Sequence, residues 1–214
     1  MDRWFTSVNI YCERTGPAFW AEPVNALTNV AFLIAAGVAF AQWRQAGGRD
    51  RLVLLLIVLV ALIGLGSFAF HTFATPLAAL ADTLPIAVFI YLYLFLALRR
   101  ILGLGFWPAI LTLAAFIVLS HGLPRIVPVR LAGGLAHYLP ALCAMLAIGW
   151  LARGDRAGRQ LLLIAGLFTV SLSLRTADVP LCETFPLGTH FIWHVLNAAV
   201  LYLLLRTAIR ETRP

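Results

Sequence analysis

The sequence contains no lysine and few charges of any kind: 12% of its 214 residues are charged, against 62% that are hydrophobic. A water-soluble domain carries about 25% charged residues and at most about half apolar ones. So few charges cannot cover a soluble surface, and a soluble enzyme or binding module is excluded. There is also no basic cluster interleaved with aromatic residues. The net charge of +7 is therefore no sign of a nucleic-acid partner. The first 20 residues lack a continuous apolar core and carry Asp2, Glu13 and Pro17. They do not read as a signal peptide, so the first apolar block is expected to act as the membrane signal. No internal repeat or soluble domain is visible.

What is present is a series of long apolar blocks, such as Leu52 to Phe70 and Leu84 to Leu98. A helix needs roughly 20 apolar residues to cross a bilayer. The blocks predict an all-α membrane protein of seven spans, at 24–42, 52–73, 82–99, 107–121, 131–151, 160–175 and 189–206. The fourth and sixth are the shortest and weakest. The expected organisation is an extracytoplasmic segment over 1–23, a seven-helix domain over 24–206 and a cytoplasmic tail over 207–214.

Arginine position sets the expected orientation, because cytoplasmic loops retain positive charge. One side holds Arg44, Arg49, Arg51, Arg99, Arg100, Arg153, Arg156, Arg159, Arg206, Arg210 and Arg213, which is 11 of the 16 basic residues. The other holds Arg3, Arg14, Arg125, Arg130 and Arg175. This predicts an outside N-terminus and a cytoplasmic C-terminus. Arginine without lysine suggests a GC-rich genome, and with it a bacterial inner membrane and a periplasmic-side site.

That orientation gathers polar residues at one leaflet. The second span ends outside near His71. The third is expected to open there, with Asp82 at its mouth. The seventh opens there with His190 and His194. His121 and His137 also fall in the outer half. Residues four apart share a helix face, which pairs His190 with His194 and Ser67 with His71. Two imidazoles on one face, a third from elsewhere and an open position for water describe a catalytic zinc site. Each residue also has a plainer reading. A lone histidine in a span can be bonded between helices, and two histidines four apart can be chance. Ser67 can bond its own backbone, and Glu13 and Glu22 can be solvated loop acids. Convergence of three segments on one face carries the metal reading, because ionisable groups in spans are costly, about 2.5 kcal/mol or more.

These residues resemble a known family. Tyr11-Cys12-Glu13, Ala21-Glu22-Pro23-Val24-Asn25 and Thr28-Asn29 are similar to the alkaline ceramidase family. So are Ser67-x-x-x-His71, Asp82 eleven residues on, and His190-x-x-Trp193-His194. The family belongs to a wider group of seven-helix hydrolases that includes the adiponectin receptors. The resemblance implies zinc held by His71, His190 and His194, with Asp82 as proton-transfer group and Ser67 stabilising the oxyanion. It implies a lipid substrate, a long-chain amide lying within the bilayer. Trp193 and Asn25 are implied as substrate-facing or structural residues, and oligomeric state is left open.

The resemblance also implies a calcium site near the N-terminus. Glu13 and Glu22 match it, with the Tyr11 carbonyl and Asn9 as further candidates. The family's aspartate appears here as Ile10 and its later asparagine as Thr15. The spacing from Glu13 to Glu22 is also shorter than in the animal enzymes. A disulfide between Cys12 and Cys182 is implied as well. Both cysteines fall on the predicted outer side, where oxidising conditions allow bridges; the alternative is three free thiols. Cys143, inside the fifth span, reads as a small packing residue. Arg175-x-x-Asp178 resembles the family pattern and reads as an ion pair between helices. Two rival functions remain open at this point: a receptor or metal-binding protein without turnover, and a hydrolase of another lipid ester or amide.

Overall fold

The structure is a computed structural model and describes residues 3–126 and 135–211. All regular elements among the described residues are helical. They are α1 (Pro23–Thr28), α2 (Val30–Gln45), α3 (Arg51–Phe73), α4 (Pro76–Arg100), α5 (Phe106–Ile126), α6 (Leu135–Leu151), α7 (Arg156–Ala177) and α8 (His190–Arg210), with short 3₁₀ turns at Arg3–Phe5 and Val179–Leu181. Asn29 alone separates α1 from α2, and the two form one apolar segment.

Five segments are long and apolar enough to cross a membrane: Pro23–Gln45, Arg51–Phe73, Pro76–Arg100, Arg156–Ala177 and His190–Arg210. The segments Phe106–Gly122 and Leu135–Leu151 are shorter. Of the two spans expected to be weakest, the sixth is among the five long segments. The sixth extends a turn beyond the sequence expectation because Arg156 to Arg159 belong to its helix and not to the loop. The expected start of the fifth span at 131, with Arg130 before it and Arg213 in the tail, lies outside the described residues.

From α2 onward each helix packs on the next, and α8 closes the ring against α2 and α3. Phe32, Leu56, Ile63, Leu96, Leu161 and Leu205 are fully buried at its centre. Large apolar side chains also cover the outside, among them Trp107, Leu111, Val118 and Leu163. A bundle that is apolar on both sides suits lipid surroundings. Cys143 corrects an expectation here: its thiol is exposed on α6 and does not pack in the core.

The α3–α4 hairpin positions the site. Ala74 takes a left-handed conformation (φ 46°) and ends α3. Thr75 then caps α4 through its side chain, 3.3 Å from the Ala78 N–H, and Pro76 opens the helix. Proline has no N–H to lose at a first helical turn. Pro76 therefore starts α4 six residues before the expected opening of the third span at 82, and Asp82 lies well inside the helix, not at its mouth. At the far end Asp50 caps α3 at Leu52 and Val53 and pairs with Arg100 of α4 at 2.5 Å. A side-chain cap of this kind contributes about 1 kcal/mol.

Gly66 lets the two helices touch. A methyl group there would collide with the Ala81 carbonyl. Pro85 lies inside α4, and lacking an N–H it leaves that same carbonyl without its helical donor. The freed carbonyl and the bare glycine meet one residue before Asp82 and one before Ser67. Gly66→Ala is expected to destabilise the protein by about 1–3 kcal/mol, the usual cost of overpacking. Gly37→Ala, with nothing within 4 Å of the added carbon, is expected to be neutral or mildly stabilising. Unfolding of both variants in detergent checks this; equal stability would show that the two helices are not in contact.

Candidate metal centre

His71 ends α3, and His190 and His194 begin α8, so the antiparallel ring brings all three to one end. They are 1%, 2% and 2% exposed, and one ligand atom from each lies within 4.8 Å of the others. Among the described residues this is the one group of three or more histidines, cysteines or acids that converges.

Hydrogen bonds orient the rings. His71 Nδ1 lies 2.6 Å from Glu22 Oε2. His194 Nδ1 lies 3.0 Å from Thr28 Oγ1. The threonine hydroxyl itself donates to the Val24 and Asn25 carbonyls, at 2.8 and 3.0 Å. It is therefore free to accept, and His194 Nδ1 donates. In both rings the tautomer with the proton on Nδ1 leaves Nε2 as a ligand nitrogen, the arrangement by which proteins orient metal-binding histidines. His190 Nδ1 is buried without a hydrogen-bond partner. A buried imidazole nitrogen left unsatisfied costs free energy, and a metal ion at this point would satisfy it. The residues present thus fit a metal.

Glu22 is 2% exposed. It bonds His71, the Arg14 guanidinium and the Asn25 amide. Burial pushes its carboxyl upward, but the hydrogen bonds it accepts from His71, Arg14 and Asn25 hold it below the usual carboxylate range. Tyr11 stacks on His190 at 3.8 Å between ring centroids, and burial pushes its phenol up.

The N-terminal segment lies across this end of the bundle. A disulfide joins Cys12 to Cys182, with Cα atoms 5.2 Å apart. The Asp178 carboxylate accepts backbone N–H groups. One oxygen accepts the N–H groups of Thr189 and His190 at 2.7 and 2.9 Å, and the other accepts the Cys12 N–H at 3.2 Å. It thus caps α8 at its first metal-site histidine and holds the N-terminal segment. Gly188 (φ 69°) lies against Asp178 and Cys12, where no side chain fits. The Arg175 guanidinium lies over the rings of Tyr138 and Trp193, at 5.2 and 5.7 Å. Trp193 is otherwise buried against Tyr138 and Phe168.

A cavity of ≈140 Å³ opens beside His190 and His194 and is lined also by Ser67, Asp82, Arg175 and Asn197. Asp82 is half-buried and faces Ser67. A second, almost wholly apolar cavity continues inward, sharing Ile63, Ile86, Tyr138 and Asn197 with the first. A wider one of ≈570 Å³ reaches His121 and His137 and shares Thr83 and Arg175.

The candidate calcium residues Glu13, Glu22 and Tyr11 are engaged with partners inside the chain. Glu13 accepts the Val24 and Asn25 N–H groups at 2.7 and 2.8 Å, which caps α1. Glu22 is held as described. The Tyr11 carbonyl accepts the Arg14 N–H at 3.3 Å, and Asn9 is exposed. Sequence reading also missed three residues that structure brings to the site. Asn197 was within reach, since positions 190, 194 and 197 share a helix face. Arg14 and Tyr138 gave no signal, because their roles depend on how distant segments fold together.

Against known families, the chain matches Ceramidase over residues 6–211. No curated protein matches it. With nearly the whole chain covered and the three histidines converged, the protein belongs to the ceramidase family of lipid hydrolases.

Proposed function

We propose that the chain is a zinc-dependent membrane hydrolase that cleaves the amide bond of ceramide or a related long-chain lipid amide. The observation that carries this reading is the convergence of His71, His190 and His194, buried and mutually within 4.8 Å, in a chain of the ceramidase family. Three histidines with an open fourth position are a donor set suited to catalytic zinc.

Zinc held by three neutral imidazoles keeps its full charge, and supplies a Lewis acid that acidifies water and polarises a carbonyl. The chain's own residues do the rest. Asp82 faces the cavity and takes the proton of the attacking water, then returns it to the leaving amine. Ser67 donates its hydroxyl to the oxyanion of the tetrahedral intermediate. Tyr138 and Asn197 stand where the polar cavity meets the apolar one, which suits an acyl chain running into the bundle with its amide at the histidines. Glu22 and Thr28 keep two ligand rings turned inward.

In this reading the chain has seven membrane spans, an outside N-terminus and a cytoplasmic C-terminus, with the site toward the periplasmic side of a bacterial inner membrane. The arginine distribution supports this orientation, as does the Cys12–Cys182 disulfide, which an oxidising compartment favours. Residues 1–23 then form the outer segment and 207–214 the tail.

Purified protein is expected to carry one zinc ion per chain and to release fatty acid from at least one member of a panel of lipid amides. His190→Ala and His194→Ala are expected to lose the zinc. Asp82→Asn is expected to keep it while turnover falls by about 10²–10⁴-fold; full activity in that variant would refute the proposed base. Zinc without hydrolysis of any amide or ester would favour a receptor, and release only from another lipid would change the substrate. Glu22→Gln is expected to weaken zinc binding about 10–100-fold, the usual effect of losing a ligand's hydrogen-bond partner, read by competition with a metal chelator. Alkaline phosphatase fused after residue 214 is expected to stay inactive; an active fusion would reverse the orientation.

A further inference from the structure

Arg14 belongs to the N-terminal segment, where a guanidinium would ordinarily reach water, yet it is 3% exposed. Its whole fork is engaged. Nε donates to Glu22 Oε1. Nη1 donates to the Gly16 and Ala18 carbonyls at 3.0 and 3.5 Å, and Nη2 to the His71 carbonyl at 2.9 Å. One carboxylate and three backbone carbonyls therefore surround a single positive charge. Carboxylate and carbonyl oxygens are also what a hard dication takes, but calcium needs six to eight of them. The remaining candidates for such a shell are used elsewhere or missing: Glu13 caps α1, the Tyr11 carbonyl closes a turn, and position 10 is Ile10. A dication approaching Glu22 would meet the fixed charge of Arg14. Calcium does not fit the residues present.

We propose that Arg14 is a cation built into the chain, standing where the resemblance reserves a place for calcium, and that it positions His71 for the metal. The positioning half rests on the metal-centre reading above. Two contacts carry it. Through Glu22, whose other oxygen lies on His71 Nδ1, the guanidinium sets the ring. Through the His71 carbonyl it fixes the end of the helix that bears the ring. One planar group thus locates both the side chain and the main chain of one ligand. A lysine supplies the charge but not the fork.

Two measurements test this. Millimolar calcium is added to the purified wild-type protein while its melting temperature is followed. A folded-state calcium site would raise it by several degrees through linkage; no shift is expected. In parallel, zinc affinity is measured for Arg14→Ala and Arg14→Lys. Arg14→Ala is expected to lose about 10–100-fold and to regain part of it with millimolar guanidinium ion, but not with equal sodium chloride. Arg14→Lys is expected to be intermediate. A calcium-dependent rise in the wild type overturns the proposal. So does Arg14→Ala that keeps wild-type zinc affinity, or that guanidinium does not rescue. Should Arg14→Ala fail to fold, unaltered affinity in Arg14→Lys overturns it instead. Wild-type protein that takes up no zinc overturns the metal-centre reading and the positioning role with it, whatever the calcium titration gives.

Discussion

Three imidazoles buried together at one end of a helix bundle impose the central constraint on this chain. Nitrogen lone pairs buried near one another repel, so something must answer them. The protein answers from outside the triangle as well as at its centre. Glu22 takes one outer nitrogen and Thr28 another, and Tyr11 covers the face of the third ring. Each of these partners needs its own support. Glu22 is a buried carboxylate whose isolation would cost several kcal/mol, and Arg14 and Asn25 prevent that. Thr28 is held by carbonyls of α1. The polar network is closed almost throughout, which is the condition under which buried polar groups make a structure rigid.

The rest of the architecture serves that end of the molecule. The α3–α4 turn keeps His71 and Asp82 on one side, and the contact of Gly66 with Ala81 sets their helices side by side. Asp178 ties the start of α8 to the N-terminal segment, and the disulfide ties that segment to the loop before α8. The segment is therefore a lid fixed by covalent, ionic and aromatic contacts together. At the opposite end the Asp50–Arg100 pair closes the same hairpin. The middle of the bundle is largely apolar and holds the second cavity.

Much of this follows from spacing alone. Histidines four apart on an apolar stretch fall on one face, and Ser67 with His71 does likewise, so the metal-site residues could be picked out before any coordinates. Helix ends were harder. Pro76 lies outside the span expected from 82, yet after Thr75 it starts the helix, and the difference moves Asp82 inward by nearly two turns. The acids of the N-terminal segment were the least readable. Glu13 and Glu22 are the same residue type nine positions apart, and only tertiary contacts decide that one caps a helix while the other orients a ligand. Arg14, Asp178 and Tyr138 likewise take their roles from partners far away in the chain.

The ring closes only when its last helix meets its first, and this fixes a sequence of events during synthesis. His71 is made 119 residues before His190, which at about 5–20 residues per second is on the order of ten seconds. Through that interval the nascent protein holds one of the three ligand imidazoles without the other two. Cys12 likewise waits for Cys182 before the lid can be fastened. A truncated product therefore has neither a metal-binding triangle nor a locked lid, and quality control that senses loose N-terminal segments could distinguish it from a finished chain.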